Sequence, residues 1–352
     1  MICISRLAGS LLLAGCLVAA CTQRNSMTAV RPTMMSSDMT CALAASEIAD
    51  RVLAMHPEHL AGSDLQLLSS SFPVPRIILI NGSFPLVSMD SLARLFIEMG
   101  YPEEKIRDPL SGNLSYSSYL DSAKLAGMVS WYYEKDGVMP LLIGHSQGGM
   151  LVIKVLHQLA GSFENSLQVW DPYTDRAELR TTIIDPVSGI ERPVVGLKVG
   201  LGSAIATGKV MRLLFGQWDM LGRLRQIPDT VAEFSGYHLA HDPVSGTLFG
   251  IGRNDMYHPL GSAFVRNIIL PEGTGHLGAV RVASLQADKD MNRWINAYRP
   301  DHDLRSVSAG KGSGSHLYAA DIWHRIKAAW CREVKDWITG RQQHCGVRSH
   351  AR

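Results

Sequence analysis

The chain predicts an α/β fold with a mostly parallel central sheet flanked by helices, and three observations carry that prediction. Short apolar runs (76–80, 140–144, 192–200, 231–241 and 265–270) alternate with segments of helical periodicity, the rhythm of a sheet covered on both faces. Hydrophobic residues fill 46% of the 352 positions, enough for a substantial core. One apolar run, Pro140-Leu-Leu-Ile-Gly144, passes through Gly144-His145-Ser146-Gln147-Gly148 straight into a helical pattern from Met150 to Leu159.

The N-terminus reads as a targeting segment. Arg6 is its only charge, and the apolar stretch Leu7 to Ala20 is too short to span a bilayer as a helix. Two cysteines close it, in Leu13-Ala-Gly-Cys16 and Val18-Ala-Ala-Cys21, and these settings resemble bacterial lipoprotein signals. That resemblance implies cleavage and lipidation at Cys21 or Cys16, with Cys21 favoured for its longer apolar core and the polar residues after it. It implies a membrane-anchored protein facing the periplasm; an ordinary secreted protein is the alternative. Residues 21–41 then form a polar tether, and roughly 330 residues after the signal suit one large domain, taken as 42–340 with a tail at 341–352. Among Cys41, Cys331 and Cys345 an oxidising compartment permits one disulfide and leaves one thiol. The sequence leaves the pair open; Cys331 with either partner would staple the C-terminal helix.

Along the domain, Ala42 to Met55 is a helix and 76–80 a buried strand ending at Asn81-Gly82-Ser83. Ser88 to Met99 is amphipathic and stopped by Gly100-Tyr-Pro102, Ile106 starts a weak strand, and Tyr119 to Glu134 is a longer helix. Residues 161–193 break the rhythm and read as an insertion near the site after the helix 150–159. Arg192 to Gly200 resumes the sheet, Met211 to Arg225 is a covering helix, and Val231 to His241 and Val265 to Leu270 are the last strands. Helices 283–298 and 317–338 follow, the latter in a C-terminal extension at about 301–340. The pentapeptide Asp-Pro-Val-Ser-Gly occurs at 185–189 and at 242–246, which is ordinary turn chemistry used twice. Trp323, Trp330 and Trp337 recur every seven residues, a stripe that suits packing on the sheet better than an aromatic face for lipid or a partner.

The segment around Ser146 has the form of a nucleophile elbow. A serine hydroxyl attacks well only when it is held exposed beside a general base, and small neighbours let the helix approach the strand around a strained turn. On these residues the chain resembles the α/β-hydrolase family in its esterase and lipase branch, over roughly 76–298. The resemblance implies an α/β-hydrolase fold with an insertion after the nucleophile helix, and a chain order of serine, acid, histidine. It implies hydrolysis of a small-molecule or lipid ester through an acyl-enzyme at Ser146, with no cofactor.

That order sorts the candidates. His276 follows the apolar run 267–270 and the loop Pro271-Glu-Gly-Thr-Gly275, as the base should. The rival, His316, follows a glycine-rich loop, but residues 301–307 before it are too polar for a central strand. Asp242 and Asp255 compete as the acid. A crossover to the next parallel strand needs about a dozen residues, which favours Asp242 over Asp255. For the oxyanion hole the candidates are the N–H of Gln147 and that of Ser83 or Phe84. Met150, Leu213, Leu214, Phe215 and Trp218 could wall an acyl chain, although core packing accounts for most of them. His238 and His241 do not suggest a metal, since residues three apart in a strand face opposite sides, and no spacing resembles a zinc site. A net charge of +2 gives no sign of nucleic-acid binding. Two alternatives to the ester hydrolase remain, an acyltransferase or peptidase using the same triad, and a lipid-anchored binding protein that keeps the fold without turnover.

Overall fold

A computed structural model of the protein describes residues 37–83, 88–208, 218–247, 249–286, 288–300 and 313–350. The elements run α1 (Ser37–Ala44), α2 (Glu47–Ala54), α3 (Gly62–Ser71), β1 (Ile77–Ile80), α4 (Asp90–Glu98), α5 (Ser122–Asp136), β2 (Leu141–His145) and α6 (Gln147–Leu159). Four short strands follow, β3 (Trp170–Asp171), β4 (Arg176–Ala177), β5 (Thr182–Ile184) and β6 (Glu191–Pro193). Then come β7 (Val199–Ile205), β8 (Gln226–Ile227), β9 (Val231–His238), β10 (His258–Pro259), β11 (Phe264–Ile269), α7 (Ala283–Gln286), α8 (Lys289–Ala297) and α9 (Ser313–His350).

The central sheet has five strands in the order β1-β2-β7-β9-β11, and every pairing is parallel. Alternation along each strand divides the core. Ile77, Leu79, Leu141, Ile143, Leu201 and Ile205 face α4 and α9, while Ile78, Ile80, Leu142, Ala204 and Phe234 face α5 and α6. Both faces are therefore covered over β1, β2 and β7, which are buried at every position, whereas the edge strand β11 carries Arg266 and Asn267 and stays partly exposed. Among the described residues no helix is long and apolar enough to cross a membrane.

The structure moves several boundaries. The predicted helix 42–55 is two, because Ser46 leaves the helix and caps α2, its hydroxyl accepting from the Ala49 N–H at 3.3 Å. Likewise 283–298 is α7 and α8, with Asp288 capping the second. No strand begins at Ile106, which closes a short 3-10 turn; β1 instead gains a single bridge from Tyr116 to Ile80. The strand expected at 192–200 lies at 199–205. Val194 and Leu197 are buried as the chain enters, but Gly196 at φ +94° turns it before the sheet. The true strand carries Gly200 and Gly202, which mask its β character while letting Glu333 and Phe234 close in. Residues 209–217, which include the first half of the predicted covering helix, lie outside the described residues, as do Cys16 and Cys21; the second half is not helical but a 3-10 turn at Trp218–Met220 followed by turns.

The excursion 161–193 does not sit at the site. Its two hairpins, β3–β4 and β5–β6, lie along α5. Arg180 grips Glu134 with two parallel bonds of 2.7 and 2.6 Å, and the Ile184 N–H adds a third at 2.8 Å. Asp185 accepts from Tyr133 near the end of α5, beside the start of β2 and so at the sheet edge opposite Ser146.

The C-terminal helix is part of the core and not an extension. Trp323 stacks on Phe96 at 5.6 Å, Trp330 meets Tyr101 edge-on at 5.2 Å, and Trp337 meets Phe72 at 6.1 Å, so the seven-residue stripe is the face that α9 lays on the sheet side. Such pairs typically add about 0.5–1.5 kcal/mol each beyond the area they bury. Neither the tether nor the tail extends as far as expected. Residues 37–44 are helical, α9 continues to His350, and Cys41 bonds to Cys345 across a separation of 304 residues. The bridge thus uses the pair without Cys331, which is a buried free thiol within α9. A cross-link closing so long a loop is typically worth roughly 2–4 kcal/mol. Cys345→Ser is expected to lower the denaturant midpoint by that order, and an unchanged midpoint with and without reductant would show that the staple carries no stability.

Candidate functional site

The site gathers where the sheet's parallel strands end. The loops after β1, β2, β7, β9 and β11 supply Ser83, Ser146, Thr207, Asp242 and His276. Ligand sites of open α/β sheets form at these carboxyl ends, because the opposite ends are occupied by the returning chain.

Ser146 has φ +53° and ψ −116°, a conformation that side chains rarely adopt. Its surroundings enforce it. The Ser146 N–H donates to the Ile205 carbonyl at 2.8 Å, and the Thr207 hydroxyl donates to the Ser146 carbonyl at 2.9 Å. The glycines around it are a packing requirement. A Cβ on Gly144 would fall on the Gly148 carbonyl, one on Gly148 on the carbonyls of Ile80 and Asn81, and one on Gly149 on Thr207 Oγ1, all well inside 3.0 Å. Of the four non-glycine residues with positive φ among those described, Ser146, Ala206 (φ +55°) and His241 (φ +58°) flank the site. Such strain gathers where the surrounding structure over-determines the backbone.

From the serine an unbroken line of hydrogen bonds runs inward. Ser146 Oγ lies 3.0 Å from His276 Nε2, and His276 Nδ1 lies 2.7 Å from Asp242 Oδ2. Since the carboxylate only accepts, Nδ1 carries the proton and Nε2 offers its lone pair to the serine hydroxyl. Burial pushes the Asp242 carboxyl up, but the hydrogen bond and charge of His276 outweigh it, and the net shift is below the ordinary carboxylate value. Asp242 thus stays ionised under its histidine. The stability this contributes is present above the ordinary carboxylate pKa and is lost as pH falls through the depressed folded value.

The repeated pentapeptide explains how Asp242 is aimed. In both copies the aspartate's Oδ1 caps the turn, accepting from Val187 and Ser188 at 3.0 Å in the first and from Val244 at 2.9 Å in the second. The turn holds one oxygen and leaves the other to its setting. Oδ2 of Asp185 accepts from Tyr133, whereas Oδ2 of Asp242 accepts from His276.

The rival residues lie elsewhere. Asp255 turns back on its own short helix, where its Oδ2 accepts from the Gly252 N–H at 2.8 Å. His316 is half-buried in the first turn of α9, its pKa lowered by burial and partly restored by the Asp288 charge. Gln147 opens α6, where a first-turn N–H has no acceptor within its helix. The Ser83 hydroxyl donates to Gln147 Oε1 at 2.5 Å, which ties the loop after β1 to the elbow; Phe84 lies outside the described residues. Of the suggested acyl wall, Met150 is buried core, 213–215 lie outside the described residues, and Trp218 is 60% exposed. His238 is buried and bonds Asn267 at 2.9 Å.

Sequence reasoning gave His145 no role, yet the structure links it to the base. Its Nε2–H donates to the His276 carbonyl at 3.0 Å, with the two rings 5.0 Å apart. Burial, and then the neighbouring His276 charge, pull its pKa down to about 4, so it stays neutral at pH 7. A Cβ on Gly82 would lie 2.9 Å from its Nδ1, so glycine there is what leaves the ring its place. Only its position beside Ser146 could have flagged it. Compared with known proteins, the chain matches no family model, no curated protein and no solved structure.

His145 is therefore expected to position His276. In proton NMR the His276 Nδ1–H, short-bonded to a carboxylate, should resonate far downfield. His145→Phe should broaden or remove that signal while the fold is retained, and His145→Gln, which keeps a donor at the same reach, should restore it. A signal unchanged in the phenylalanine variant would contradict the positioning role.

Proposed function

We propose that the chain is a serine hydrolase of α/β-hydrolase fold that cleaves carboxylic esters through an acyl-enzyme at Ser146. The observation that supports this most is the hydrogen-bonded line Ser146–His276–Asp242, set on a strained turn at the start of α6. The order along the chain, with the acid after β9 and the histidine after β11, agrees with the resemblance of the elbow to that family.

In this reading His276 Nε2 takes the Ser146 proton as Oγ attacks the ester carbonyl carbon. The carbonyl oxygen becomes an oxyanion facing the Gln147 N–H and the loop after β1, where one aimed donor is typically worth about 2.7–4 kcal/mol in the transition state. Collapse of this intermediate breaks the bond to the alkoxy oxygen, and His276 returns the proton to the departing alcohol. Water then attacks the acyl-enzyme by the same route, His276 taking its proton and giving it back to Ser146 Oγ, which releases the acid. Asp242 fixes the imidazole tautomer and steadies the imidazolium in each half. We further propose export, with lipid attachment at Cys21 or Cys16 holding the enzyme on the periplasmic face of the envelope. The Cys41–Cys345 disulfide supports an oxidising compartment.

Fluorophosphonate labelling tests the nucleophile. One adduct per chain, mapped to Ser146 and absent from Ser146→Ala, is expected, and an unaltered chain that resists labelling would remove the hydrolase reading. Asp242→Asn should lower kcat for a p-nitrophenyl ester by about 10³–10⁴-fold, with Asp255→Asn close to the unaltered chain. The reverse outcome would overturn the choice of acid.

A further inference from the structure

A cavity of about 270 Å³ opens away from the proposed triad between the turn at Pro57–His59, the start of α3, the end of α8 and the middle of α9. Its lining includes Glu58, Asn296, Tyr298, Arg299, His324 and Lys327. Lys327 is the anomaly. Its residue is only 3% exposed, although a buried lysine is rare unless paired, and it makes no ion pair among the described residues. Its ammonium has three N–H donors, and the acceptors given to it both belong to Asn296, the carbonyl at 2.5 Å and Oδ1 at 3.4 Å. Oδ1 is shared with Trp323 Nε1 at 3.0 Å. Burial, with the Arg299 charge adding to it, pulls the Lys327 ammonium down to about 8.

The charges around the cavity balance except at this point. Glu58 is a lining carboxylate, but His324, Arg325 and Arg332 all hold it, at 2.9, 2.9 and 3.2 Å. The hydrogen bond from His324 is the largest cause of its pKa falling to about 2. Behind it, Arg325, Arg332 and Arg266 are matched by Glu58, Glu233 and Asp321. Arg293 is paired with Asp290, and Asp64 caps the Ala61 N–H at 2.8 Å. Among the described residues, Lys327 and Arg299 are left as positive charges without a carboxylate partner, one buried and one at the rim.

We propose that this cavity binds a small molecule through an oxyanion head, a phosphate or a carboxylate, seated on Lys327 Nζ and closed by Arg299. The volume sits near the lower end of small-ligand pockets, with room for a short polar body behind the head. Asn296, Tyr298 and His324 would supply that body's hydrogen-bonding contacts. Such a ligand gives the buried ammonium the counter-charge that the described residues do not.

Thermal unfolding and calorimetric titration of the full chain test the site, with inorganic phosphate and with acetate as probes and chloride keeping ionic strength constant. A saturable rise in the midpoint, roughly 5 °C at a hundredfold excess over Kd, is expected with at least one probe. The comparison between them assigns the head group. Lys327→Met should abolish the response. Arg299→Gln alters only an exposed side chain, so it should keep the chloride midpoint and weaken the titrated affinity about tenfold; it decides the matter if Lys327→Met fails to fold. No saturable response to either probe, or a response unchanged in Arg299→Gln, would overturn the proposal. Ester turnover plays no part in this readout, so its outcome is separate from that of the hydrolase reading.

Discussion

The candidate site depends on a close approach of backbone to backbone. Gly148, in the first turn of α6, lies so near the carbonyls of Ile80 and Asn81 that no side chain fits between them, and Gly144 meets Gly148 in the same way. This contact brings the end of β1, the end of β2 and the start of α6 together. It places the loop that carries Ser83 beside the Gln147 N–H and forces Ser146 into its positive φ. A larger residue at either glycine would separate Ser146 from the loop after β1 before any residue of the Ser146–His276–Asp242 line was touched.

Around that fixed point, each residue of the proposed triad is held by something other than its partner in the line. Ser146 is locked through its backbone by Ile205 and Thr207. Asp242 is locked by its turn, which occupies one carboxylate oxygen and frees the other. His276 is held by His145 through its own carbonyl. The bonds of the proposed triad therefore join groups that are already in place, the preorganisation that the hydrolase reading requires.

The sheet was legible because a parallel, doubly covered strand is an uninterrupted apolar run, as at Ile77–Ile80 and Leu141–Ile143. The expected order of serine, acid and histidine came from the resemblance of the elbow to the hydrolase family, and the chain length needed before β11 only favoured Asp242 over Asp255. What could not be read was set by contacts distant in sequence. β7 hides behind its glycines because Glu333 and Phe234, far along the chain, fill the space. The tail continues α9 and is tied to α1 through Cys41–Cys345, and the excursion at 161–193 settled on α5 because Glu134 receives Arg180. Asp-Pro-Val-Ser-Gly is the clearest limit. The same five residues make a structural turn at 185 and carry the proposed acid at 242, and only the neighbour of the second oxygen separates the two.

Pre-steady-state hydrolysis of p-nitrophenyl acetate tests the central claim most directly, because it counts covalent events at the serine. The account predicts a burst of p-nitrophenol approaching one equivalent per chain, and neither burst nor turnover in Ser146→Ala. Hydrolysis that survives Ser146→Ala at the original rate, or an unaltered chain that releases no p-nitrophenol, would contradict it.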